Sequence, residues 1–526
     1  MRFRSIAEIR QRESNAIACG TPAVVLMERA GAGLAGVIAR LLRAGGGDFC
    51  LFVAGHGNNG GDAFVAARLL ETWGVRCEIR LTAPPDTLKG AARNAWEQHA
   101  QCNSANGVFD IYDSEVRWNE SHPAYELPPR AVVVDALLGT GACGEPTGVI
   151  RAAIAWINRA APCARIVAVD LPSGLNADTG TLAEVAVHAD LTVTFDAPKR
   201  GFQCPGAWPA LGRVETIDIG LTDDALPPSS SDTCDYLSPT ELARLIKPRP
   251  RDSHKGRFGH LLVIGGSRGF SGAPALAALA ALRTGAGLVS AVVPECAAAP
   301  ISTLAPEAMA HPLPAPNGCL DMQMVRQWKA DLSPFDMLVV GPGLGTGNGP
   351  RELVAGLLAG NPKRILLDAD ALNILALQQP LHRLAAADCV ILTPHPGEAA
   401  RLLGTSVVAV QADRPAAVRQ LADATGAIVV LKGCATLVCA PGGRPAMNLT
   451  GNPGMATGGS GDVLSGVIGA LWGQGLSAWD AACLGVYLHS TAGDLAAWQG
   501  GEAALIARDI IAQLGEALKM NGAGAC

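Results

Sequence analysis

The feature that most restricts this chain is an alternation that starts, breaks and starts again. Short apolar runs of strand length recur, and most lead into a glycine or an aspartate. In the first half these are FCLFVAG (49–55), VRCEIRL, AVVVDAL, RIVAVDL and DLTVTFD. In the second they are HLLVIGG, GLVSAVV, MLVVGPG, RILLDAD, DCVILTP and AIVVLKG. Helical patterns separate many of them, such as DAFVAARLLETWG (62–74) with Gly74 as its stop. Two more helical segments, near 5–18 and 22–43, precede the first strand. Strands alternating with helices imply parallel sheets covered on both faces, so the expected class is α/β.

The break falls at TDDALPPSSSDTCDYLSPTE, which is rich in Pro, Ser and Asp and lacks periodicity. It predicts a domain at 1–222, a linker at 223–237 and a second domain at 238–526. The second half ends in Ala-rich helices expected near 461–473, 479–498 and 503–518. A length of 526 residues also calls for more than one domain.

Composition excludes several classes. Hydrophobic residues are 49% and charged residues 17%, too apolar for a disordered chain. A net charge of -6 argues against an electrostatic nucleic-acid binder. The start MRFRSIAEIRQRE has no apolar signal region, and the stretch PALAALAALRTGAGLVSAVV reads as a buried helix and strand, so no membrane span is expected. The 15 cysteines are scattered with no C-x-x-C, which suits reduced thiols in a cytoplasmic protein.

VAGHGNNGGDAF (53–64) follows a strand and opens a helix. Its glycines let backbone amides approach a ligand, and Asn58 and Asn59 add side-chain oxygens and amides there. Asp62 is also expected to cap the helix. VVVDALLGTGACGEP carries Asp135 into a second glycine loop, and VAVDLPSGLNADTG carries Asp170 into a third. In open parallel sheets such loops converge beyond the carboxyl ends of the strands.

These three motifs resemble the amino-terminal domain of NAD(P)H-hydrate epimerases over about residues 5–220. The resemblance implies a Rossmann-like domain with a potassium ion held by Asn59, Asp135 and Ser173. It implies substrate contacts at Asn58, Asn59, Gly60, Gly61 and Asp62, and at Gly139, Thr140, Gly141, Ala142, Cys143, Gly144 and Glu145. Asp170 becomes the acid/base group at C6 of the hydrated nicotinamide ring. His56 stands where Pro is usual and Ala63 where Gly is usual; His56 is read as a loop-surface residue.

In the second half, GPGLGTG, TPHPGE and LKGCAT each follow a strand, and NLTGNPGMATGGSGDVLSGVIGAL packs seven glycines ahead of and into an apolar helix. Gly458, Gly459 and Gly461 suit phosphate oxygens at a helix start, and Asp462 there is either an N-cap or a general base. No G-x-x-x-x-G-K-[ST] sequence is present, which disfavours a P-loop enzyme. The GSGD element resembles ribokinase-like kinases, and the full motif set is similar to ADP- or ATP-dependent NAD(P)H-hydrate dehydratases over about 238–520. That resemblance implies substrate contacts at Ala273, Gly343, His395 and Asp462. It places nucleotide contacts at Lys432, Gly433, Cys434, Ala435, Thr436 and Gly461. Arg257 stands where Asp often follows HKG.

Together the halves imply a bifunctional repair enzyme for NADHX and NADPHX. ADP would be the co-substrate, with Mg2+ at its phosphates, and the similarity suggests a homo-oligomer. The alternatives are a ribokinase-like small-molecule kinase fused to a nucleotide-binding domain, and a nucleotide sensor without turnover.

Overall fold

A computed structural model of the protein describes residues 1–102, 108–121, 123–142, 144–221, 234–360, 362–378, 381, 383–384 and 389–521. The chain divides into two compact units, residues 1–232 and 233–526.

The first unit is built on strands β1 (Phe49–Ala54), β2 (Arg76–Leu81), β3 (Val108–Ile111), β4 (Ala131–Ala136), β5 (Ala164–Val169), β6 (Leu191–Phe195) and β7 (Arg213–Ile217). They form one sheet in the order β3-β2-β1-β4-β5-β6-β7, and every pair is parallel. Every residue of β1, β4 and β6 is buried, as a sheet covered on both faces requires. Side chains alternate between two cores. Cys50, Phe52, Ala54, Val132 and Val134 pack into one. Phe49, Leu51, Val53, Ala131 and Val133 pack into the other.

The second unit adds β8 (Asp235–Tyr236), β9 (His260–Ile264), β10 (Leu288–Pro294), β11 (Met309–Leu313), β12 (Met337–Val340), β13 (Ile365–Leu367), β14 (Val390–Leu392), β15 (Ile428–Leu431), β16 (Leu437–Cys439) and β17 (Ala446–Met447). The order is β11-β10-β9-β12-β13-β14-β15-β16-β17-β8. Strands β9 to β15 pair in parallel, with antiparallel β15–β16 and β16–β17 pairs at one end. The expected α/β class with parallel sheets is what the chain adopts.

Three readings change. Asp235 and Tyr236 fall in the predicted linker 223–237, but they pair in parallel with β17. Asp235 N donates to Pro445 O at 2.8 Å and Leu237 N to Met447 O at 2.9 Å. A two-residue edge strand leaves no periodicity to read; residues 222–233 lie outside the described residues. Asp62 is not a helix cap. The helix begins at Asn58 with Gly57 as its N-cap, which puts Asp62 in the second turn. The last helix begins at Ala507 rather than near 503, because Glu502–Ala504 form a 3-10 turn.

In each sheet the direction of winding reverses between two neighbouring strands, β1 and β4 in the first unit and β9 and β12 in the second. Ligands bind at such points in open α/β sheets. Both crevices are lined by glycines that admit no side chain. A Cβ on Gly55 would lie 2.2 Å from Leu137 O, and one on Gly265 would lie 2.3 Å from Pro342 O. Among the described residues no helix is long and apolar enough to cross a membrane.

Candidate functional sites

At the first crevice Asp135 is fully buried near the end of β4. Ser173 donates to it twice, from N to Oδ2 at 2.8 Å and from Oγ to Oδ1 at 2.7 Å. Leu137 N also donates to Oδ1, at 3.2 Å. Burial pushes the Asp135 carboxyl up to about 6, with the Ser173 and Leu137 donors opposing. Leu138 links the rest: its N–H donates to Ser173 Oγ at 3.0 Å, and its carbonyl accepts from Asn59 Nδ2 at 3.0 Å. Asn59 Nδ2 also donates to Val169 O at 2.7 Å. Its amide nitrogen is thereby spent, and its Oδ1 faces Gly139, where a Cβ would lie only 2.4 Å away.

Asn59, Asp135 and Ser173 are thus brought together. They offer one amide, one carboxylate and one hydroxyl oxygen. Among the described residues the hydrogen bonds of this buried carboxylate are with Ser173 and Leu137, which leaves it short of positive charge. The donor set fits a hard cation, as the resemblance implies.

Asp170 follows β5 with φ of 65°, a left-handed backbone that a non-glycine residue holds at a cost of about 1–3 kcal/mol. Its Oδ1 accepts from Thr194 Oγ1 and from Phe195 N, each at 3.2 Å. The ammonium of Lys199 lies 2.5 Å from the same oxygen and is buried. Asp62 is buried as well. Burial and the charges of Asp170 and Glu13 push its carboxyl well above the ordinary range, with Lys199 opposing. Glu13, on the helix Ile6–Ala18, is raised by burial and by Asp170.

The remaining predicted contacts are less enclosed. Asn58 is exposed, while Gly60 and Gly61 are buried under it. Gly139 and Thr140 are half-buried, and Gly141, Ala142, Gly144 and Glu145 are exposed. Arg10 Nη2 donates to Thr140 O at 3.2 Å, and Glu145 accepts from Glu184 N at 2.9 Å. Cys143 lies outside the described residues. His56 is exposed, in keeping with a loop-surface role. The sequence reading missed Glu13 and Lys199. Lys199 follows DLTVTFD by three residues, so a basic group beyond a strand end was the available signal.

At the second crevice the helix Ser460–Gly473 starts from Gly459, which caps it with φ of 91°. Asp462 is therefore in the first turn and is not the cap. Burial and the charge of Asp368 push it up to about 7, Lys432 opposing. Lys432 Nζ donates to Asp368 Oδ1 at 2.7 Å and lies 3.9 Å from Glu398 Oε2. Ser465, one turn beyond Asp462, donates to Asp368 Oδ2 at 2.7 Å. A Cβ on Gly461 would sit 3.2 Å from Lys432 Nζ. Lys432, Gly461 and Asp462 therefore share one place.

His395 is the N-cap of the helix Pro396–Leu403. Its Nδ1 accepts from Gly397 N at 3.0 Å and Glu398 N at 3.4 Å, while His395 N donates to Glu398 Oε2 at 2.8 Å. Burial, then Lys432 and Arg401, lower its pKa. The imidazole is thus a neutral acceptor, and its 3.4 Å approach to Glu398 is no ion pair. Burial pushes Glu398 up to about 7, Lys432 opposing.

Gly343 packs on the loop before Ala273: its Cβ position lies 3.5 Å from Ala273 Cβ, and its carbonyl accepts from Ser267 Oγ at 2.8 Å. Gly433 and Cys434 are exposed, Thr436 is half-buried, and Ala435 is buried with φ of 51°. Thr436 Oγ1 donates to Gly433 O at 2.8 Å, closing that turn. The residues missed here are Asp368 and Glu398. Asp368 is the first aspartate of RILLDAD, directly after β13, and Glu398 ends TPHPGE, so a carboxylate past a strand was again the signal.

Residues 23–201 match the family model described as YjeF-related protein N-terminus, and residues 261–514 match that for NAD(P)H-hydrate dehydratase. The bifunctional NAD(P)H-hydrate repair enzyme Nnr of Moorella thermoacetica is 39% identical over 494 residues, covering 93% of this chain and 91% of that one. The enzyme of the same name from Coxiella burnetii is 39% identical over 508 residues, 96% and 97% of the two chains. A solved ADP/ATP-dependent NAD(P)H-hydrate dehydratase from Bacillus subtilis, co-crystallized with ATP/Mg2+, is 28% identical with a TM-score of 0.48, covering 54% of this chain and 98% of that one. With relatives this similar along nearly their whole length, the chain belongs to the family of bifunctional NAD(P)H-hydrate repair enzymes.

Proposed function

We propose that the chain returns hydrated NADH and NADPH to use. The first unit interconverts the R and S hydrates, and the second removes water from the S hydrate with ADP as phosphoryl donor. The observation that carries this reading is Asp462. It is a carboxyl pushed up to about 7, in the first turn of a glycine-led helix, beside the Lys432–Asp368 pair. A base poised near neutrality at a helix start can take a proton where a hydroxyl meets a phosphate.

Hydroxide is a poor leaving group. Asp462 takes the proton of the C6 hydroxyl as its oxygen attacks the terminal phosphoryl of ADP, and AMP leaves. The ring nitrogen lone pair then expels phosphate from C6, and loss of a C5 proton restores the dihydronicotinamide. The amides of Gly458, Gly459 and Gly461, with Lys432 through Thr436, receive the nucleotide phosphates, while Ala273, Gly343 and His395 line the substrate side. A magnesium ion would accompany the diphosphate. In the first unit Asn59, Asp135 and Ser173 would hold potassium, which supplies fixed positive charge for orienting the substrate. Asn58 to Asp62 and the 139–145 loop receive that substrate, and Asp170 is the acid/base group. The similarity also favours a homo-oligomer.

The test supplies mixed R and S hydrates, with and without ADP, and follows the absorbance of restored reduced cofactor. Full recovery with ADP and none without it is expected. Asp462→Asn should block dehydration, and Asp170→Asn should slow recovery from the R form alone. A stable phosphorylated product with no cofactor restored would select the kinase alternative. No consumption of hydrate at all would select a sensor.

A further inference from the structure

We propose that Asp368 is the positioning residue of the dehydration site: its carboxylate holds the Lys432 ammonium and the helix that carries Asp462 in one fixed arrangement, ready for the nucleotide. This rests on Asp462 as the base of the second unit and on Lys432 as a nucleotide contact.

Asp368 directly follows β13 and is 1% exposed. Both carboxylate oxygens are in use. Oδ1 accepts from Lys432 Nζ at 2.7 Å, and Oδ2 accepts from Ser465 Oγ at 2.7 Å. The backbone is fixed as well. Asp368 N donates to Val340 O at 3.0 Å, and Ala371 N donates to Asp368 O at 3.1 Å. Ala369 beside it has φ of 49°, a left-handed backbone that a non-glycine residue keeps only under constraint. One side chain therefore ties the ends of β12 and β13 to Lys432, which follows β15, and to the helix Ser460–Gly473. Buried this far, with both oxygens spent, Asp368 does not meet the substrate and is no rival to Asp462 as the base.

Both tethers bear on reacting groups. Ser465 lies about one turn beyond Asp462, so fixing its hydroxyl fixes the turn that aims the Asp462 carboxyl. Lys432 is 17% exposed and its tip reaches the helix start, where a Cβ on Gly461 would sit 3.2 Å from Nζ. Glu398 Oε2 is farther from that ammonium, at 3.9 Å. An untethered lysine samples many rotamers and is free to swing onto Asp462. Held by Asp368, it presents its remaining N–H groups at a set point beside the glycine amides. A charge already in place where negative charge develops needs no reorganisation as the phosphoryl group moves. Buried ion pairs add little net stability, so stability gives little reason for this one.

The experiment follows dehydration of the S hydrate by the full chain with ADP, across the pH range. Asp368→Asn keeps the shape of the side chain and removes its charge. It should lower kcat ~10²-fold and hold KM for the S hydrate within about threefold. It should also move the acid limb of the profile to lower pH, because one negative charge acting on Asp462 is gone. The other charged groups acting there, Lys432, Asp370 and Glu398, are left intact. A merely structural loss would reduce the amount of active enzyme and leave the limb in place. Ser465→Ala breaks the helix tether, spares the ion pair, and should lower kcat ~10-fold with the limb unmoved. Native kcat in either folded variant, or a limb that fails to move down in Asp368→Asn, overturns the proposal. If Asp368→Asn does not fold, Ser465→Ala decides it. Asp462→Asn is run beside them. If it keeps the native rate, the base assignment itself falls; if it is inactive while Asp368→Asn runs at the native rate, that assignment stands and this inference fails.

Discussion

A single side chain, Asp462, ties rate and stability to the same pH range. Its carboxyl sits at about 7 in the folded protein against an ordinary 3.8. As a general base it works only when ionised, so dehydration should rise through about pH 7 in a pH–rate profile. Lys432 opposes the upward shift. Lys432→Met should therefore move that rise to higher pH as well as weaken nucleotide binding. The linkage to stability runs the other way. A raised pKa means the fold holds a proton that the unfolded chain releases between pH 4 and 7. The stability this gives is present at low pH and is lost as pH rises through the folded value. Asp462→Asn carries no such penalty. At pH 8 it should melt ~2–4 °C above the native chain, and at pH 4 it should melt at the same temperature. Glu398 is pushed into the same range and its charge also raises Asp462, so its relaxation in Asp462→Asn adds to the difference in the same direction.

Elements were legible where burial was two-sided. FCLFVA is apolar at every position and AVVVDA at every position but Asp135, because both faces are covered, and they read as strands at once. Edge and half-buried strands did not. β7, RVETI, is mostly half-buried and mixes charges into its run, and β11, MAHPL, carries a proline and a histidine at an edge. The seven glycines of NLTGNPGMATGGSGDVLSGVIGAL do different work in the structure. Gly459 and Gly461 serve the helix start, whereas Gly466 and Gly469 lie inside the helix and let it pack. A Cβ on Gly466 would fall 2.2 Å from Ala277 O, on the facing helix Gly272–Arg283. That contact is backbone and cannot step aside. Gly466→Ala should lose ~1–3 kcal/mol in a denaturant melt of the second unit despite alanine's better helix propensity. The site partners Lys199 and Asp368 were hidden for a related reason. Each is one charged residue past a strand, and only the tertiary pairing shows which such residues meet.

For the whole molecule, what matters is that each unit closes its own core. The first has apolar clusters on both faces of its sheet, and the second has a cluster joining β9, β10 and β12 to the terminal helices. The proposed acid/base groups and their charged neighbours each lie within one unit: Asp170 and Lys199 in residues 1–232, and Lys432 and Asp462 in residues 233–526. Units with independent cores and complete sites should work apart. Produced separately, residues 1–232 should epimerise the hydrates without nucleotide, and residues 233–526 should consume only the S form with ADP. Recovery by the second piece alone should then pause at the S fraction of the mixture and creep onward at the uncatalysed epimerisation rate. Adding the first piece should release the rest at a rate that rises with its concentration. If the two pieces fall short of the fused chain at matched concentrations while each retains its own turnover, fusion does more than keep two enzymes together. In that case the gap between the two progress curves measures how much substrate reaches the second site without first entering solution.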